Sequence, residues 1–129
     1  MHPNARTGLI LFAHGARDPR WAAPFEAVAA RVRATRADVP VQLAFLEFMT
    51  PTLPEAAAAL AAQGCVRLQV LPMFLGAGGH VRKDLPLLLD AIRAAHPGLR
   101  LDLATAIGEV ESVTQAMAAA ALELIKPVP

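Results

Sequence analysis

The sequence predicts an α/β domain, a three-layer arrangement in which a four-stranded parallel sheet lies between helices on both faces. Four short apolar segments alternate with four helix-like segments, and this alternation is typical of parallel sheets with crossover helices. One of the apolar segments, GLILFA, is a continuous apolar run, and another, VRLQVLP, is a short apolar run; both are of the kind found in covered parallel strands. A chain of 129 residues suits one domain, so we expect a single domain over residues 1–129.

The first strand–helix unit is marked by clear start signals. The strand is predicted over Gly8–Ala13. Asp18 is a suitable N-cap and Pro19 suits the first helical position, so a helix is expected from Arg20 to Arg36. Its predicted apolar stripe consists of Trp21, Phe25, Val28, Ala29 and Val32.

The second unit begins with a strand predicted over Val41–Glu47. Thr52 and Glu55 have the spacing of a capping box, which marks the start of an alanine-rich helix that ends at Gly64. The third strand, Val66–Pro72, is expected to stop at its proline because proline cannot donate to a sheet ladder.

The second half of the chain repeats the pattern. A helix is predicted from Val81 to Ala95, followed by a strand over Leu99–Ala104 that alternates apolar and charged residues, as an edge strand does. Ile107-Gly108 forms a turn, and the last helix is predicted over Val110–Lys126, before a short proline-containing tail.

Composition excludes several functions. The net charge is +1 and aromatic residues are 5% of the chain, so neither a nucleic-acid nor a membrane partner is expected. Cys65 is the single cysteine, which excludes an internal disulfide and is interpreted as buried filler. No apolar stretch reaches the length of a membrane span or resembles a signal peptide. A cytoplasmic protein is therefore expected.

Three side chains suited to metal or acid–base chemistry follow three successive strands. His14 follows the first strand, Glu47 ends the second and His80 follows the third. Parallel strands bring these positions to one edge of the sheet, where such folds bind ligands. Imidazole and carboxylate bind divalent transition metals and also serve as general acids and bases. Each residue has a plainer interpretation, as a loop or capping histidine or a solvated acid. His2 and His96 are interpreted as non-functional.

The turn that contains His80 is rich in glycine. Gly76, Gly78 and Gly79 allow a ligand to approach the backbone closely, although such turns often serve only as connections. Basic residues flank the two histidine turns and would suit a substrate with carboxylates or phosphates: Arg17, Arg20, Arg82 and Lys83.

Three segments make the chain resemble the small, single-domain sirohydrochlorin cobaltochelatases, which are relatives of the sirohydrochlorin ferrochelatases and nickelochelatases of the class II chelatase superfamily. The segments are LILFAHGARDPRW (Leu9–Trp21), AFLEFMTPTLPEA (Ala44–Ala56) and LPMFLGAGGHVRKDLP (Leu71–Pro86). The third is the most specific. One departure is Ala16, where the family often has serine, so any hydroxyl role at that position is absent.

The resemblance implies a half-size chelatase that dimerises and inserts a divalent metal into sirohydrochlorin without ATP or an organic cofactor. It implies that His14 binds metal and accepts pyrrole protons, that His80 is a second ligand, and that Glu47 assists metal handling or proton removal. The metal is expected to be cobalt, with iron or nickel as alternatives. The macrocycle would be lined by the loop and its basic neighbours: Leu75, Gly76, Ala77, Gly78, Gly79, Arg17, Arg82 and Lys83.

Two other functions fit parts of the same pattern. A non-enzymatic metal or tetrapyrrole carrier would use the same ligands, and turnover beyond one equivalent would separate it from an enzyme. A histidine phosphatase also has a His-Gly pair after its first strand, but its motif resembles Arg-His-Gly, and residue 13 here is alanine.

Overall fold

The computed structural model describes residues 6–76 and 78–127, without the side chain of His80. Over these residues it contains a four-stranded sheet in the order β2-β1-β3-β4, with every neighbouring pair parallel. This confirms the predicted sheet and the edge position of the fourth strand. The strands are β1 (Arg6–Ala13), β2 (Val41–Phe45), β3 (Cys65–Pro72) and β4 (Arg100–Leu103).

Helices cover both faces of the sheet. On one face, Ile10 and Phe12 of β1 pack with the buried sides of two helices; on the other face, Leu11 packs with a third helix through Ala29. The α-helices of the described residues are α1 (Ala23–Thr35), α2 (Leu53–Ala62), α3 (Gly79–Ala95) and α4 (Glu111–Glu123), and two 3-10 turns span Pro19–Ala22 and Ile107–Glu109. The first face is covered by α2 and α3, and the second by α1.

The last helix departs from the predicted layers. No residue of α4 is buried, and its principal neighbour is the Ile107–Glu109 turn rather than the sheet. Met117 is 42% exposed and Leu122 is 62% exposed. The sequence predicted the helix correctly, but it did not predict that the helix would bury no residue against the sheet.

The first helix begins later than predicted. Asp18 accepts a hydrogen bond from the Arg20 N–H at 2.9 Å, as an N-cap does, but the turn that it caps is the 3-10 turn Pro19–Ala22. Pro24 lacks an N–H and cannot donate to residue 20, which breaks a continuous α-helix there. Val28 of the predicted stripe is 38% exposed, while Ala29 is fully buried.

Other local signals are confirmed. Thr52 and Glu55 form the predicted capping box, with hydrogen bonds of 3.3 and 2.8 Å. Cys65 is buried. The helix α3 starts at Gly79, two residues before the predicted start, so that position 80 lies in its first turn.

The strand order places a switch point beside the candidate residues. The chain passes from β1 to β2 on one side and then crosses to β3 on the other, so β1 and β3 are adjacent. Open parallel sheets bind ligands at the carboxyl ends of strands where the order reverses. Within the described residues, no helix combines the length and apolar character needed to cross a membrane.

Candidate metal and tetrapyrrole site

His14 and Glu47 contact each other directly at the carboxyl edge of the sheet. The Nε2 atom of His14 and the Oε1 atom of Glu47 are 3.0 Å apart, and both side chains are about half exposed. The pairing of β1 with β2 continues past the strand ends: Leu46 N–H donates to Ala13 O at 3.0 Å and Glu47 N–H donates to His14 O at 3.1 Å. The backbone ladder therefore sets the two side chains side by side and leaves them accessible to a ligand.

Gly15 permits this close approach. Its φ is +95°, a region that side chains with a Cβ rarely adopt. A Cβ at this position would also lie well inside contact distance of the Glu47 carbonyl oxygen. The His-Gly pair is visible in the sequence as a motif, but this reason for the glycine is visible only in the fold.

Phe74 lies on the other side of His14. The two ring centroids are 6.5 Å apart in an edge-to-face arrangement, and Phe12 supports Phe74 from the core at 6.0 Å. Edge-to-face aromatic contacts favour a fixed ring orientation. Phe74 was not among the predicted site residues, although an aromatic residue two positions after a buried strand could have indicated it.

The glycine loop is open to solvent. Leu75 and Gly76 are exposed, and a Cβ added at Gly76, Gly78 or Gly79 would meet nothing within 4 Å. Ala77 lies outside the described residues, as does the side chain of His80. Among the described side chains no group of three metal-binding residues occurs, so the role of His80 as a further ligand stays a prediction.

Two of the predicted basic residues have defined partners. The Arg17 guanidinium lies 5.2 Å from the ring centroid of Phe48, a half-exposed residue with φ of +67° directly after Glu47. Arg20 instead forms an ion pair with Asp18 at 2.9 Å, and this partner lowers the pKa of the Asp18 carboxyl. Arg20 is therefore paired within its own turn, while Arg17 lies against the residue that follows Glu47.

A mainly apolar cleft of about 250 Å³ opens on the other side of Phe74, between α3 and the chain that follows β4. Val81 and Leu103 contribute to its walls, and Arg82 and Glu109 are the charged residues that line it. Lys83 is exposed on the same helix. The predicted positions that the structure describes thus follow the ends of β1, β2 and β3, from Arg17 after β1 to Arg82 in the first turns of α3.

Comparison with known proteins decides the family. The family model described as CbiX matches residues 8–124. The chain belongs to the CbiX family. The resemblance inferred from the three segments is thereby confirmed, and the histidine phosphatase interpretation is set aside.

Individual CbiX relatives and structures agree with this membership. The sirohydrochlorin cobaltochelatase of Methanosarcina acetivorans is 32% identical over 85 residues, 66% of this chain and 65% of that protein. The Methanothermobacter thermautotrophicus protein of the same name is 36% identical over 84 residues, which are 65% of this chain and 58% of the relative. A crystal structure of a CbiX protein from Marinobacter aquaeolei VT8 is 31% identical, with a TM-score of 0.81 over 92% of this chain and 97% of that one.

A longer protein shares the CbiX fold. SirB from Bacillus subtilis, solved with Fe3+, has a TM-score of 0.80 at 22% identity, and the match covers 95% of this chain but 48% of SirB. The matched stretch likewise spans less than two thirds of the archaeal relatives' length. The fold of this chain therefore corresponds to about half of SirB.

Proposed function

We propose that this CbiX chain is a single-domain sirohydrochlorin chelatase that inserts a divalent metal, cobalt(II) first among the candidates, into the tetrapyrrole. The observation that carries the proposal is the His14–Glu47 pair, 3.0 Å apart at the carboxyl edge of the sheet. The archaeal relatives named sirohydrochlorin cobaltochelatase support the choice of substrate and metal.

The spacing of the pair suits a cation bound by both residues. A metal about 2.1 Å from each ligand atom, with an angle of about 90° between them, separates those atoms by about 3.0 Å. The separation of His14 Nε2 from Glu47 Oε1 is 3.0 Å. The pair can therefore accept a metal with little movement, once the imidazole proton is on Nδ1.

Insertion also requires that two pyrrole protons leave the macrocycle. Imidazole and carboxylate are both suitable acceptors, and the half exposure of His14 and Glu47 leaves them accessible to a ring above the edge. In this proposal His14 binds the metal and accepts protons, Glu47 shares both tasks, and His80 is the further metal ligand. Because the protein supplies only a small number of ligands, the metal keeps open coordination positions, which a transfer site needs.

The edge around the pair supplies groups for a flat, carboxylate-bearing substrate. In this proposal Arg17, whose guanidinium lies over the Phe48 ring, and the exposed Arg82 and Lys83 pair with the substrate carboxylates. The loop from Leu75 to Gly79, with Gly76, Ala77 and Gly78 between them, would lie against the macrocycle. Its glycines leave room for such a ring because an added Cβ at Gly76, Gly78 or Gly79 would meet open space.

We further propose that the protein acts as a homodimer. A protein partner would remove from water the exposed apolar side chains of α4 and of the chain after it. These include Met117, Leu122, Leu124 and Ile125. The twofold greater length of SirB supports two copies of the present fold in one working unit. From the sequence we further predict that the protein is a lyase that needs neither ATP nor an organic cofactor, and that it is located in the cytoplasm.

The test is an anaerobic spectroscopic assay with sirohydrochlorin and cobalt(II), nickel(II) or iron(II), at catalytic protein concentration. His14→Ala and Glu47→Gln are expected to slow insertion at least tenfold, while His96→Ala, a histidine at the end of α3, is the matched control and should retain the rate. A spectral change that stops after one equivalent of tetrapyrrole per protomer would show that the protein is a carrier and not an enzyme. No protein-dependent change with any metal would refute a chelatase.

A further inference from the structure

The Ile107–Glu109 turn lies directly against the start of the glycine loop. The Gly108 N–H donates to the Phe74 carbonyl oxygen at 3.0 Å. A Cβ on Gly108 would lie well inside contact distance of the carbonyl oxygen and the Cα of Leu75. Such distances between a Cβ and backbone atoms do not occur, so this backbone-to-backbone contact requires glycine at position 108.

We propose that Gly108 is a positioning residue of the metal site, because its contacts fix the backbone of Phe74 and Leu75. The Phe74 ring in turn contacts His14, and Leu75 begins the glycine loop. The proposal rests on the function proposed above. The link to His14 runs through the Phe74 ring, which lies edge-to-face with the imidazole at a centroid distance of 6.5 Å. The link to the loop is direct, because Leu75 is its first residue.

The contact at Leu75 contrasts with the remainder of the loop. Added Cβ atoms at Gly76, Gly78 and Gly79 would meet nothing within 4 Å, whereas one at Gly108 would collide with the loop backbone. Among the described residues the loop is therefore packed at its start and open beyond it. Leu75 precedes position 80, in the first turn of α3, by five residues, so in this proposal a shift at Leu75 also changes the position of the His80 imidazole.

A substitution at Gly108 tests this contact cleanly. Gly108 does not have a positive φ; among the described glycines only Gly15 and Gly64 do. Gly108→Ala therefore introduces a collision without backbone strain at residue 108 itself. Leu75 is exposed, so the loop can move away without opening the core, and the variant is expected to fold.

The experiment measures cobalt(II) affinity by titration and the imidazole signals of His14 and His80 by NMR. Gly108→Ala should weaken cobalt(II) binding roughly 10- to 100-fold, the usual effect of disturbing groups that orient metal ligands, and should shift both imidazole signals. Gly98→Ala is the matched control, since a Cβ there meets open space. Leu60→Ala, in the core near the amino end of β1, controls for destabilisation alone and should lower Tm without changing affinity.

Unchanged affinity and unchanged imidazole signals in folded Gly108→Ala would overturn the proposal. If that variant does not accumulate, Phe74→Leu tests the link from Phe74 to His14: it should shift the His14 signal and weaken cobalt(II) binding, and the absence of both effects would also overturn it. Metal binding is measured apart from insertion. A wild-type protein that binds cobalt(II) but does not insert it would refute the proposed function while leaving the positioning role of Gly108 to be judged by these data.

Discussion

Replacing Gly15 with alanine should separate His14 from Glu47 and impair metal insertion. The alanine Cβ would collide with the Glu47 carbonyl oxygen, and normal contact requires the two backbones to move apart by roughly 1.5 Å. A misplacement of about 1 Å in a catalytic arrangement can cost about 100-fold in rate. We therefore expect cobalt insertion by Gly15→Ala to fall roughly 100-fold.

The same substitution should also lower stability by a measurable amount. The φ of +95° at Gly15 is unfavourable for alanine, and this strain with the collision should cost about 2–3 kcal/mol. For a chain of this size the loss corresponds to a fall in Tm of about 5–15 °C. Since domains are typically stable by about 5–15 kcal/mol, the variant should remain folded at 15 °C, where the assay is run.

Two further variants separate strain from displacement. Gly15→Asn keeps the Cβ but tolerates a positive φ better than alanine, so it should lose as much activity with a smaller fall in Tm. Gly98→Ala, whose Cβ meets open space, should match the wild type in both measurements. A folded Gly15→Ala with wild-type insertion rate and cobalt(II) affinity would refute the view that Gly15 sets the His14–Glu47 geometry.

Three other predictions concern charge and burial. Glu47→Gln keeps a hydrogen-bonding group beside His14 but removes the negative charge, so calorimetry should show cobalt(II) binding weakened by about tenfold or more; equal affinity would exclude the carboxylate as a ligand. Hydrogen bonding from Arg67 lowers the pKa of the Asp102 carboxyl. This pairing therefore stabilises the fold above the unfolded value of about 3.9 and is lost as pH falls through the lower folded value. Urea midpoints should accordingly fall more between pH 6 and pH 2.5 for wild type than for Asp102→Asn, and parallel curves would contradict this. Burial raises the pKa of the Cys65 thiol, so a thiol reagent at pH 8 should react slowly with native protein and rapidly in denaturant, whereas equal rates would show that the thiol is accessible.

The sequence was sufficient to predict that His14 and Glu47 lie at one edge of the sheet, because the carboxyl ends of parallel strands meet at one edge in any strand order. It was not sufficient to place them in contact. That depends on the register of β1 against β2, in which Ala13 pairs with Phe45, and register is set by packing of whole strands rather than by local signals.

The missed features share a different cause. The contact between Gly108 and Leu75 joins residues far apart in sequence, and a glycine in a turn has the same local pattern whether or not another backbone lies against it. The same holds for α4. Its residues predict a helix, but the surface against which a helix packs is a property of the assembled fold, and α4 has no buried residue in the described chain.

The site combines a fixed part with an open part, and this division suits metal transfer. His14 is held by the backbone ladder to Glu47 and by the Phe74 ring, while the loop beyond Leu75 has free space around its glycines. A closed shell of four fixed ligands would make a structural metal site, from which transfer into a macrocycle would be slow. A rigid pair beside an open loop can present the metal with coordination positions free for pyrrole nitrogens. On this reasoning, changes that tighten the loop, such as Gly76→Ala with Gly78→Ala, should slow insertion more than they weaken cobalt(II) binding. Parallel losses of rate and affinity would show instead that the loop acts only in binding the metal.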